Sequence, residues 1–151
     1  MFTVKNWVWD DAKYELTEDL YWDSGKKDAN YESPDGYLII KDGIWRIKKG
    51  FKWNGTSGVP DGPAIEDTEV VPVKSLSGHP IPKTWRASLV HDCGCTYVYL
   101  KGFPYKRKDL DKFFYEELKK IDFSKAELYY YGVRLFSTFL SRIFWFFERR
   151  I

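Results

Sequence analysis

Asp42-Gly43 stands between two runs of apolar and β-branched residues, Tyr37-Leu38-Ile39-Ile40-Lys41 and Ile44-Trp45-Arg46-Ile47-Lys48. A two-residue connection between such runs takes a turn in which both central residues have positive φ, and Asp-Gly tolerates that conformation. An antiparallel hairpin is therefore expected here. After residue 82 the period changes. Trp85, Leu89, Val90, Tyr97 and Leu100 recur at helical spacing behind Pro82, which suits a helix start. Residues 106–121 carry acidic side chains early and Lys119 and Lys120 late, the order a helix dipole favours. Ser124 and Glu127 have the spacing of a capping box, which would open a third helix running to about Arg149. Strands first and helices second give an α+β fold, a small antiparallel sheet followed by a bundle of about three helices. Residues 13–23 read as one weak strand, 24–36 as a loop, 49–63 as an extended start passing into a Gly/Pro loop, and 64–82 as an excursion with scattered Pro and Gly.

The length of 151 residues fits a single domain. Its parts are an acidic N-terminal segment 1–35, the hairpin and Gly/Pro loop 36–63, and a helical part 83–149. Aromatic residues make up 19% of the chain, enough apolar surface to exclude disorder. The net charge of +2 excludes a polyanion binder that works by bulk charge, but it conceals a gradient. Residues 1–35 hold 4 basic and 9 acidic side chains, residues 36–60 hold 5 and 1, and residues 101–120 hold 7 and 4. Lys106-Arg107-Lys108 is the one short basic run, and no nucleic-acid-reading motif accompanies it, so no nucleic-acid partner is expected. Cys93 and Cys95 are too close in sequence for an unstrained disulfide, which points to a reducing compartment at synthesis. The opening Met1-Phe2-Thr3-Val4-Lys5-Asn6-Trp7 lacks the apolar run of a secretory signal.

Residues 128–147 have the length of a membrane span but are amphipathic on a helical wheel. Arg134, Ser137, Thr138, Ser141 and Arg142 fall on one side; Leu135, Phe136, Phe139, Leu140 and Ile143 fall on the other. Such a helix packs on its own core, on another copy or on another protein, or lies on a membrane surface.

The residues able to do chemistry centre on His91-Asp92 in the first helix. Neighbours on a helix diverge by about 100°, so a base at His91 would be oriented by a carboxylate from the next helix, for which Asp111 is the candidate and Asp109 the cap. Asp92 would then turn toward the Gly-rich loop at 54–62, where a carboxylate and backbone carbonyls can hold a hard cation. The alternative is a buried His–Asp pair that pins two helices together. Zinc is not expected from His91, Cys93 and Cys95, because Cys-x-Cys on a helix points the thiols apart.

Four ordered stretches resemble a known family. They are Lys49-Gly50-Phe51-Lys52-Trp53-Asn54-Gly55-Thr56-Ser57-Gly58-Val59-Pro60, Ala87-Ser88-Leu89-Val90-His91-Asp92, Arg107-Lys108-Asp109-Leu110-Asp111-Lys112-Phe113-Phe114 and Tyr130-Tyr131-Gly132-Val133-Arg134. They look like the "G-F-x-x-D-G-x-S-x-P", "A-x-x-x-H-D", "R-x-x-A-D-x-x-F" and "Y-x-x-V-R" stretches of the phage- and prophage-encoded domain of unknown function family thirteen fifty-three. The resemblance covers roughly residues 36–140 and implies a phage source. A weaker similarity is to the small bacterial phospholipases A2, which also have a Gly-rich calcium loop, a helical His-Asp and an Asp on an antiparallel helix. By that similarity His91 would be the base, Asp111 its orienting partner, Asp92 a calcium ligand, and Asn54 and Gly55 part of the metal loop. Asn54 stands where a charged Asp would be expected, Cys95 where an aromatic hydroxyl would be, and the bracing disulfides are missing. Three functions follow as expectations. The first is a phage structural or virion-associated protein, made in the host cytoplasm and docked to other phage proteins or to itself. The second is a His/Asp hydrolase of lipid or envelope esters. The third is a host-directed inhibitor.

Overall fold

A computed structural model describes residues 12–55 and 62–135. Its strands are β1 (Tyr14–Leu16), β2 (Leu20–Asp23), β3 (Tyr31–Glu32), β4 (Leu38–Lys41), β5 (Ile44–Ile47), β6 (Lys52–Trp53) and β7 (Val73–Ser75). Helices α1 (Trp85–Tyr97) and α2 (Arg107–Lys120) follow, and residues 126–135 form a third helical run, α3. The fold is α+β, with the strands in the first half and the helices in the second. One antiparallel sheet has the order β6-β1-β7 and the other β2-β5-β4-β3.

The hairpin forms as its turn chemistry requires. β4 and β5 pair with Lys41 opposite Ile44, and Asp42 and Gly43 have φ of 51° and 81°. The expected single strand over 13–23 is instead two strands that belong to different sheets. The corner between them is fixed by Asp19, whose carboxylate accepts Arg46 Nε at 2.9 Å and the Lys49 backbone N–H at 2.7 Å. A charged residue with both oxygens engaged holds a bend that strand propensity alone would have smoothed out. The excursion contains an unexpected strand as well. β7 pairs along β1, with Leu16 opposite Val73. The third helix begins at 126, and Glu127 accepts the Tyr115 hydroxyl at 3.1 Å rather than serving a cap with Ser124. The remainder of the expected terminal helix, 136–149, lies outside the described residues.

One apolar cluster joins both sheets to α1 and α2. Three tryptophans of the sheets are buried in it, and each aims its indole N–H at a polar partner on the C-terminal side. Trp22 donates to Glu117 at 2.7 Å, Trp45 to the Tyr105 hydroxyl at 3.0 Å and Trp53 to Ser88 Oγ at 3.1 Å. Such anchoring satisfies the one polar atom of each ring, so its large area is buried without an orphaned donor. Much of the aromatic content is thereby accounted for as the contact between sheets and helices.

Candidate functional site

α1 is buried on nearly every side, from Ala87 to Gly94 and again at Thr96 and Tyr97. It lies between the sheets and α2, which is why both His91 and Asp92 are buried although adjacent helical positions point in different directions. Gly94 sets how closely α2 approaches. A Cβ built there would sit 2.5 Å from Leu110 Cδ2, and Leu110 is itself fully buried. Replacing Gly94 by alanine gains about 1 kcal/mol of helix propensity. It also overpacks a contact that has nowhere to go, at about 1–3 kcal/mol. A net loss of about 1 kcal/mol in urea denaturation is expected for Gly94→Ala.

The close approach brings His91 Nε2 to 2.6 Å from Asp111 Oδ1. The other Asp111 oxygen accepts Arg134 Nη1 from α3 at 2.9 Å, and Arg107 Nε lies 3.8 Å from Oδ1, one turn back on α2. Asp111 has no solvent exposure, and His91 is only 3% exposed, with the Phe114 ring beside it. Three helices therefore converge on one carboxylate. Burial opposes a charged imidazole, but the Cys95 sulfur, Asp111 and Asp92 together outweigh it and hold His91 well above its usual value.

The candidate residues are thus partly brought together. His91 and Asp111 meet. Asp92 Oδ1 lies 3.8 Å from His91 Nδ1, beyond hydrogen-bonding reach, and Asp92 Oδ2 is buried with no hydrogen-bond partner. Burial pushes the Asp92 carboxyl up, offset in part by His91, Arg107 and the backbone N–H of Asn54. Asp92 does face the start of the Gly-rich loop, where Asn54 is half-buried and Gly55 buried with φ of 92°. The Asn54 group turned to it is a donor, however, whereas a hard cation wants several oxygens. Among the described residues no set of three His, Cys, Asp or Glu side chains is arranged to hold a metal ion. Residues 56–61 of that loop lie outside the described residues. Asp109 accepts the Lys106 backbone N–H at 2.9 Å and so closes the α2 N-terminus.

Both cysteines are free. Cys93 is fully buried and burial pushes its thiol up, whereas Cys95 lies beside His91, so the two thiols diverge. Arg107, Arg134 and Cys95 are parts of the site that the sequence reasoning did not assign to His91 and Asp111. For two of them a signal exists, because Arg107 and Asp111, and His91 and Cys95, are four residues apart on a helix. Arg134, on the polar side of its helical wheel, turns inward to Asp111, while Leu135, on the apolar side, is 74% exposed. No helix among the described residues is long and apolar enough to cross a membrane. A cleft lined by Gly62, Lys83, Phe123, Lys125 and Tyr129 shares no residue with the His91 cluster. No family model matches the chain, and neither curated proteins nor solved structures return a match.

Proposed function

We propose that this chain is a phage-encoded structural or virion-associated protein whose His91–Asp111 pair fastens the helices of a scaffold. The observation that carries the scaffold reading is the closure of the pair. Asp111 is completely buried, one of its oxygens is taken by His91 and the other by Arg134, and His91 has almost no exposed surface through which to meet a substrate. The phage source rests on the four sequence stretches between residues 36 and 140. Docking to other particle proteins or to a second copy is supported by Leu128, Tyr131 and Leu135. These lie three and four residues apart on α3 and are 65%, 64% and 74% exposed, while Ala126, Tyr129 and Val133 hold the helix to the core.

A hydrolase of lipid or envelope esters is the second reading. Its favouring observation is Asp92 Oδ2, a buried carboxylate oxygen without a partner beside a His–Asp pair. In that reading Nδ1 of His91 takes a proton from water, and Asp111 holds the ring through Nε2. Two measurements separate the readings. Mixed phospholipid vesicles incubated with the protein, with and without calcium, should release no more fatty acid than with the His91→Ala variant, and washed phage particles should retain the chain by mass spectrometry. Fatty-acid release by the unaltered protein that His91→Ala abolishes establishes the hydrolase instead. Particles free of the chain contradict the virion assignment.

A further inference from the structure

We propose that two copies of this chain pair by exchanging the turn Glu66-Asp67-Thr68-Glu69-Val70, each copy seating it in the cleft at the start of the other's α3. The turn stands out from the molecule. The Glu69 backbone N–H donates to the Glu66 carbonyl at 3.0 Å and closes it, and all five residues are exposed. Val70 is 96% exposed, more than any other large apolar side chain among the described residues. Three carboxylates therefore precede one bare aliphatic tip. The cleft answers both features. Its volume is about 370 Å³. Phe123 and Tyr129 form its apolar wall, their ring centroids 4.8 Å apart. Gly62 leaves that wall uncovered, since a Cβ there would already touch the Phe123 ring at 3.4 Å. Lys83 and Lys125, both exposed, border the cleft against the single carboxylate of Asp122. Apolar surface inside and positive charge at the edge complement an acidic turn that ends in valine.

Lys83 Nζ lies 3.7 Å from Glu66 Oε1 of its own chain, and the two side chains are 45% and 77% exposed. So exposed a pair holds little energy, which leaves Lys83 able to turn to a carboxylate of a second copy. The same pair places turn and cleft on one surface of the molecule. A surface that carries both a projection and its socket satisfies a two-fold axis, so one contact brings the second with it and the pair closes. The contact is small, and a weak dimer follows, dissociating at about 10–100 μM. The proposal depends neither on a phage source nor on the His91–Asp111 pair, and it uses none of Leu128, Tyr131 and Leu135.

The test is sedimentation velocity of the whole chain from about 5 μM to 1 mM, a range that spans the expected dissociation constant. A monomer–dimer equilibrium is expected. Val70→Asp should weaken it about a hundredfold, about tenfold for each of the two equal contacts. Charge reversal then assigns the partners. One chain carries Glu66→Lys with Glu69→Lys, and another carries Lys83→Glu with Lys125→Glu. Each alone sets like charges against each other and should dimerise at least about tenfold less well than the unaltered chain. Mixed in equal amounts, the two should regain association to within about threefold of the unaltered chain, because both contacts of the mixed pair then join opposite charges. A chain that stays monomeric throughout the range overturns the proposal. So does a dimer that survives Val70→Asp, or a pair of reversed chains that do not restore each other on mixing. Should a reversed chain fail to fold, the Val70→Asp comparison decides alone, since that side chain touches solvent on nearly all sides.

Discussion

Replacing Asp111 with asparagine is expected to cost about 3–5 kcal/mol of folding stability, the range seen when one partner of a buried ion pair is removed. The magnitude comes less from the lost attraction than from what is left behind. His91 and Arg134 both direct N–H groups at this carboxylate, with Arg107 close by, and a neutral amide leaves the buried His91 and the two partly buried arginines without a counter-charge. Urea denaturation of the two proteins measures the difference directly. The pH dependence has a definite sign. His91 is held above its reference value of 6.5 in the fold, so the stabilisation from its pairing is fully present below that pH and is lost as pH rises through the folded value. The gap between the native chain and Asp111→Asn therefore narrows on the alkaline side.

Trp45→Ala is the second large effect, also about 3–5 kcal/mol. Trp45 has no exposure, and its ring meets Trp22 at 5.1 Å, Tyr105 at 5.2 Å and Phe103 at 6.2 Å between centroids. Truncation opens a cavity among these rings. It also removes the donor to the Tyr105 hydroxyl, although that oxygen keeps Ser24 Oγ at 2.5 Å. Trp45→Phe retains most of the volume and should lose clearly less. Thermal unfolding followed by far-ultraviolet circular dichroism ranks the three proteins. Equal midpoints for Trp45→Ala and the unaltered chain would show that the sheets and helices do not share a core through this residue.

The contrast between what the sequence revealed and what it concealed has a physical origin. The Asp42-Gly43 hairpin and both long helices are specified by contiguous residues, so turn chemistry and helical period suffice to read them. The split of 13–23 depends on Asp19 meeting Arg46 and the Lys49 amide, about thirty positions away. The strand at Val73–Ser75 is recruited by β1, and nothing local announces it amid Pro and Gly. The site shows the same division. Asp111 follows from the need of His91 for a carboxylate on a neighbouring helix, but Arg134 comes from a third helix whose wheel gave it to solvent. A wheel measures only average polarity. It cannot register one cation drawn inward by a buried charge.

His91 and Asp111, 2.6 Å apart, tie α1 to α2. A double-mutant cycle built on His91→Gln and Asp111→Asn, read by urea denaturation near pH 6, tests it most directly. A coupling energy of about 2–3 kcal/mol is predicted, since the part of the Asp111→Asn loss that reflects the charged contact with His91 disappears once residue 91 is neutral, while the part owed to Arg134 and Arg107 remains. Additive losses, with coupling below about 0.5 kcal/mol, would contradict the account.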